Sequence, residues 1–186
     1  MKHMLCKSIP LLGLLFASVV MAGNFPTQEP MGGKPFGTSV KEIGNGLYVF
    51  RWWVYRNFFL VTDEGVIVAD PINPKAAGLM REEIRKVTDK PVKYVIYSHN
   101  HHDHISGGTL FKEEGATFIA HANVLKQLGD HPSPVIPLPD ITFEDTYTVE
   151  LGGREVELSY FGPNHGDSLV VMRLPEEKIL FIVDIV

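Results

Sequence analysis

Four histidines and an aspartate fall within the six residues His99-Asn100-His101-His102-Asp103-His104, directly after the apolar run Val92 to Tyr97. A strand of that kind delivers the side chains of the following loop into a crevice at its end. On an extended or tightly turning loop, His99 and His101 project the same way, so both imidazoles reach one metal ion while Asp103 and His104 turn toward a neighbouring position. One loop can therefore serve two metals. Imidazole nitrogens and carboxylate oxygens suit zinc, but they also suit iron or manganese, so the ligand set leaves the ion open.

The rest of the chain narrows the chemistry. Lys2 and Lys7 precede an apolar stretch from Ile9 to Met21 that ends in the small-residue cleavage pattern Val20-Met21-Ala22. That stretch is short of the roughly 20 residues that span a bilayer and contains Pro10 and Gly13, so residues 1–22 are expected to be a signal peptide and no stable membrane anchor. A periplasmic or secreted location follows. Cys6, the only cysteine, lies inside this segment. The mature form then has no disulfide, no thiol nucleophile and no cysteine ligand, and histidines and carboxylates carry the chemistry. The formal charge of −5 becomes more acidic once Lys2 and Lys7 are removed. Such a chain does not track phosphates, so a small-molecule substrate is expected and nucleic acid is not.

A length of 186 residues with 45% hydrophobic and 21% charged content fits one globular domain. Residues 23–42 carry Pro26, Pro30, Gly32, Gly33, Pro35 and Gly37 without periodicity and read as an N-terminal arm, with the domain at 43–186. Strands are predicted over Leu47 to Tyr55, Phe58 to Thr62 and Val66 to Ala69, with a tight turn at Asp63-Glu64-Gly65. Ala77, Met80, Ile84 and Val87 make the stripe of a helix over Lys75 to Val87, and Val92 to Tyr97 returns to a strand parallel to the one before. Helices are predicted at Gly108 to Glu114 and His121 to Leu128 about a strand at Ala116 to Ala120. The Pro-rich segment His131 to Pro139 is a loop. Strands are then expected at Thr142 to Val149, Glu155 to Phe161, Leu169 to Leu174 and Ile179 to Val183.

Ser98 to Gly108 resembles the His-x-His-x-Asp-His signature of the metallo-β-lactamase-like superfamily, including the Gly-Gly that follows it. Asp70 after Val66-Ile67-Val68-Ala69 resembles the family's early strand-terminal Asp. Gly162-Pro163-Asn164-His165 resembles its Gly-x-x-His turn, and Leu180-Phe181-Ile182-Val183-Asp184 its late apolar strand ending in Asp. The resemblance implies a four-layer αββα sandwich of the α/β class. It makes His99, His101 and His165 a three-histidine site, and Asp103, His104 and Asp184 ligands of a second site, with Asp184 bridging two zinc ions.

An aspartate at 184, where the best-known lactamase subclass has cysteine, is more like the glyoxalase II and lactonase branches. Val183 replaces the usual glycine, and the family's final histidine ligand does not occur in the two residues after Asp184. The C-terminal part of the domain is accordingly expected to be missing from these residues.

The mechanism so implied is hydrolysis. A metal-bound water whose pKa falls toward ~7 attacks the carbonyl of an ester, lactone, thioester or β-lactam, with Asp103 orienting it. Two rivals remain, an iron-dependent oxidoreductase on the same scaffold and a non-catalytic metal-binding domain. Asp70 can cap the turn before Pro71 or orient a ligating imidazole, and the second role is favoured. His102 is expected to point away from the metals, His121 to be structural or near the pocket wall, and His131 to be exposed. Asp167 and Ser168 are accounted for by turn chemistry. Among the aromatics from Trp52 to Phe59, strand alternation buries half, and Trp52 and Trp53 are the candidates for an apolar lip that grips substrate.

Overall fold

The computed structural model describes residues 37–185, so the signal-peptide reading of residues 1–22 lies outside the described residues. Two sheets form. Seven strands line up in sequence order: β1 Thr38–Gly44, β2 Leu47–Trp52, β3 Tyr55–Val61, β4 Val66–Ala69, β5 Val92–Ile96, β6 Thr117–His121 and β7 Ile141–Phe143. The strands β8 Thr146–Leu151, β9 Arg154–Tyr160, β10 Val170–Leu174 and β11 Ile179–Phe181 form an antiparallel sheet of four, in the order β11-β10-β9-β8.

The helices α1 Pro74–Val87, α2 His102–Ile105, α3 Thr109–Glu113 and α4 Ala122–Asp130 interrupt the run of parallel strands from β4 to β7. Strand alternation separates two cores. Phe50, Phe59, Val66, Val68, Val95 and Phe118 face Ala77, Met80 and Ile84 of α1 and Val124 of α4. Phe58, Leu60, Ile67, Ile96 and Ile119 face Val156, Leu158 and Met172 of the second sheet. Three layers, helix, sheet and sheet, therefore stand within the described residues.

Three boundaries differ from the sequence expectation. The segment read as an arm over residues 23–42 includes most of β1, which pairs with β2 from Thr38↔Trp52 onward. The single strand expected from Leu47 to Tyr55 is two strands joined by a two-residue turn at Trp53-Val54, with Trp52 opposite Tyr55. Trp53 takes the positive φ of 58° that such a turn needs. The strand expected from Thr142 to Val149 switches sheets at Glu144-Asp145. The Glu144 carbonyl accepts from His121 Nε2 and the Asp145 carbonyl from the Tyr160 amide, so the chain leaves β6 and joins β9.

The end of β4 is held against the histidine loop by close backbone contact. Ile72 pairs with Ile105, and its N–H donates to the His104 carbonyl at 2.7 Å. A Cβ on Gly107 would lie 2.5 Å from the Asn73 carbonyl oxygen and 2.7 Å from its carbon, whereas one on Gly78 in α1 would meet nothing within 4 Å. Gly107→Ala is therefore expected to lower unfolding stability by about 1–3 kcal/mol, while Gly78→Ala raises it by about 0.5–1 kcal/mol. Urea denaturation of both variants measures the contrast.

Candidate metal centre

Everything in the centre hangs from strand ends: Asp70 after β4, Ser98 to His104 after β5, His165 between β9 and β10, and Asp184 after β11. Asp70 is fully buried. Its Oδ1 accepts the Ser98 N–H at 2.8 Å, and its Oδ2 accepts the Ser98 hydroxyl at 2.6 Å. With that proton committed, Ser98 Oγ is left to accept from His99 Nδ1 at 2.9 Å. The relay fixes the tautomer of His99, leaving Nε2 as a bare lone pair. His104 Nδ1 lies 3.3 Å from the same Asp70 Oδ2, so its Nε2 is likewise turned outward.

His99, His101, His165 and Asp184 each offer an atom within 4.8 Å of the others. Their imidazoles meet edge to face, at 4.5 Å for His99 and His101 and 4.8 Å for His101 and His165. Asp184 Oδ2 lies 2.9 Å from His104 Nε2, 3.6 Å from His99 Nε2 and 3.8 Å from His165 Nε2, so one carboxylate reaches both groups. Asp103 Oδ2 is 3.7 Å from His104 Nε2 and accepts the Tyr55 hydroxyl at 3.0 Å. The buried His99 Nε2 has no hydrogen-bond partner. An orphaned imidazole nitrogen facing a carboxylate and two more imidazoles is the environment a metal ion satisfies, and these residues fit one.

The charges are divided between the two groups. Burial pushes His99 down to about 4, with His104 and His101 adding to the effect and Asp70 and Asp184 opposing it. Burial also works against a charge on His104, but the Asp70 hydrogen bond and the carboxylates of Asp70, Asp184 and Asp103 hold its pKa above the ordinary value. Burial opposes ionisation of Asp103. The Tyr55 hydrogen bond, its own backbone amide and the nearby His104 and His101 nevertheless keep it below the ordinary carboxylate value.

The loops are locked to each other. The Asn100 N–H donates to Ser168 Oγ at 3.2 Å, and the Ser168 hydroxyl returns to Asn100 Oδ1 at 2.9 Å. Asn123 Nδ2 donates to the Asp167 carbonyl at 2.5 Å, and Gln127 Nε2 donates to the Asp167 carboxylate. Asp167 and Ser168 thus do more than shape a turn, because they tie the His165 loop to α4 and to the His99 loop. Sequence reasoning missed these bonds along with Ser98, whose only signal is its place between an apolar strand and the first histidine.

The other candidates fall outside the ligand cluster. His102 and His131 are exposed, and His121 is buried as the cap of α4, accepting from the Asn123 amide. Trp52 stacks on Tyr55 with ring centroids 5.9 Å apart, and Trp53 is half exposed on the hairpin turn. A cavity of about 580 Å³ opens beside Asp103, His104 and Asp184. Its wall on the hairpin side is Val54, Tyr55 and Arg56, so the residues that face it are the neighbours of the two tryptophans expected there.

A layered α/β sandwich with a metal-fitting His/Asp cluster at its strand ends defines the class of protein. A profile of the metallo-β-lactamase superfamily matches residues 51–186, and the chain belongs to that superfamily. The 2,4-dinitroanisole O-demethylase subunit alpha of Nocardioides sp. (strain JS1661) is 29% identical over 136 residues, covering 72% of this chain and 42% of the relative. The type 2 metallo-β-lactamase of Elizabethkingia meningoseptica is 27% identical over 152 residues, covering 76% and 59%. Among solved structures, a metallo-β-lactamase from Pontibacter korlensis superposes with a TM-score of 0.70 at 22% identity, covering 78% of this chain and 70% of that one. The fold is that of the metallo-β-lactamases. The chain spans 42% to 59% of the length of these two curated relatives.

The divided electrostatics can be tested in metal-free protein. Imidazole NMR titration should give a midpoint of about 4 for His99 and one above 6.5 for His104. On acidification His104 then takes its proton first, and coincident midpoints would contradict the hydrogen-bonding described.

Proposed function

We propose that the chain forms the centre of an exported zinc-dependent hydrolase that attacks the carbonyl of a small molecule: an ester, lactone, thioester or β-lactam. The single observation that carries this reading is the bridging position of Asp184, within 3.8 Å of His99, His104 and His165 at once. Two ions sharing that carboxylate would be held by His99, His101 and His165 on one side and by Asp103 and His104 on the other. When bound, they supply a Lewis acid for the carbonyl and bring the pKa of water toward neutrality.

The protein's own part is orientation. Ser98 and Asp70 hold the proton of the neutral imidazole on Nδ1 of His99 and His104, which turns Nε2 of each toward the metal position. Tyr55 holds one oxygen of Asp103, which leaves the other to align the attacking water and take its proton. The relatives' names, an O-demethylase and a lactamase, do not select the substrate. Zinc, a periplasmic or secreted location and a small-molecule substrate remain part of this proposal.

Chelator-treated protein, reloaded with zinc, should regain hydrolysis of a panel of esters, lactones and β-lactams. Asp103→Asn should lower kcat by about 100-fold or more. Full activity in the chelated protein contradicts the proposal, and oxygen consumption with iron bound points to redox chemistry instead.

A further inference from the structure

Two described histidines have no place in the centre or the core. His99, His101, His104 and His165 gather around Asp184, and His121 is committed to the cap of α4. His102, the first residue of α2, and His131, which follows the last residue of α4, line one cleft. Neither imidazole makes a hydrogen bond, an ion pair or a ring contact with any described residue. Both are exposed, so their side-chain torsions are free to converge on one point. The cleft holds about 370 Å³ and is walled by Asn100, His102, Gln127, Leu128 and His131. None of the centre's ligands lines it, and none of its wall comes from β11 or the residues that follow.

Gln127 adds an oxygen. Its Nε2 donates to the Asp167 carboxylate, which fixes the nitrogen end of the amide and leaves Oε1 as the other end. That Oε1 is shielded from solvent and has no hydrogen-bond partner. A buried acceptor without a donor is destabilising unless something positive satisfies it, and the cleft wall holds no ammonium or guanidinium group. The Asp167 carboxylate behind the amide makes Oε1 a stronger electron donor. Two free imidazoles and an amide oxygen suit a borderline transition-metal ion such as zinc, nickel or copper, whereas magnesium and calcium take oxygen ligands. Two metal–nitrogen bonds of about 2.1 Å bring the imidazole nitrogens within about 4 Å of each other, and the remaining space admits the ion's waters.

We propose that His102 and His131, with Gln127 Oε1 completing the donor set, form an accessory site for a divalent transition-metal ion outside the Asp184-bridged centre. The ion ties the start of α2 to the end of α4, across the Asn100–Ser168 and Gln127–Asp167 bonds that fix the His165 loop. The site does not depend on the hydrolase reading.

Calorimetric titration with zinc, on protein whose main centre is already filled, tests the site. The wild type should take up one further ion, and His102→Gln and His131→Gln should each weaken that uptake by at least about tenfold. Absence of a further ion, or a smaller loss in either variant, overturns the inference. His102 adjoins two ligands of the main centre, so a second measurement leaves the chain unsubstituted. Substoichiometric Cu²⁺ added to the same filled protein should broaden the imidazole NMR resonances of His102 and His131 in parallel. Broadening of one alone, or of neither, overturns it.

Discussion

A fully buried carboxylate must find donors, and the demand of Asp70 organises the centre. Ser98 supplies two of them from its amide and its hydroxyl, and this sets the proton on His99. His104 supplies the third. One acidic side chain therefore determines which nitrogen faces the metal position in both groups. The backbone bends to bring it there: Asp70 and Ile72 take positive φ values of 44° and 60°, conformations that cost of order 1–3 kcal/mol in non-glycine residues. Bonds from the Asp70 amide to Ile96 and from the Ile72 amide to His104, with Asn57 donating to the Asp70 carbonyl, hold that geometry.

Around this axis the fold supplies two braces. The β2–β3 hairpin stacks Trp52 on Tyr55, and Tyr55 meets His104 edge-on at 5.5 Å while its hydroxyl holds Asp103. Its aromatic residues thus act through Tyr55 on the second ligand group. On the other side, Asn100 with Ser168, and α4 with Asp167, fix the loop that carries His165. That loop is tight: Asn164 and Gly166 exchange both backbone hydrogen bonds at 2.8 Å, and Gly166 takes a φ of 101°.

The sequence shows the histidine loop plainly because its ligands are contiguous and follow an uninterrupted apolar strand. The helix α1 is legible for a similar reason, since Ala77, Met80 and Ile84 repeat at its period. Asp70, His165 and Asp184 are far from that loop along the chain, and only the family resemblance connects them to it. The Trp53-Val54 turn is hidden because it contains no glycine, asparagine or proline, so β2 and β3 read as one aromatic strand. The sheet switch after Phe143 is hidden because Thr142 to Val149 keeps an extended pattern throughout, and only the donors His121 and Tyr160 divide it. The cross-loop bonds of Ser98, Asn100 and Ser168 join short polar residues whose partners depend on the finished fold.

The central claim is that the Asp70 carboxylate prepares the histidines to ligate, and substitution by an amide of the same shape tests it most directly. The amide of Asp70→Asn would offer one acceptor oxygen and present N–H groups where Ser98 and His104 donate. Zinc affinity of this variant, measured by competition with a chromophoric chelator in protein whose circular dichroism is unchanged, is predicted to fall by about 10–100-fold. An affinity equal to that of the unsubstituted protein would contradict the account.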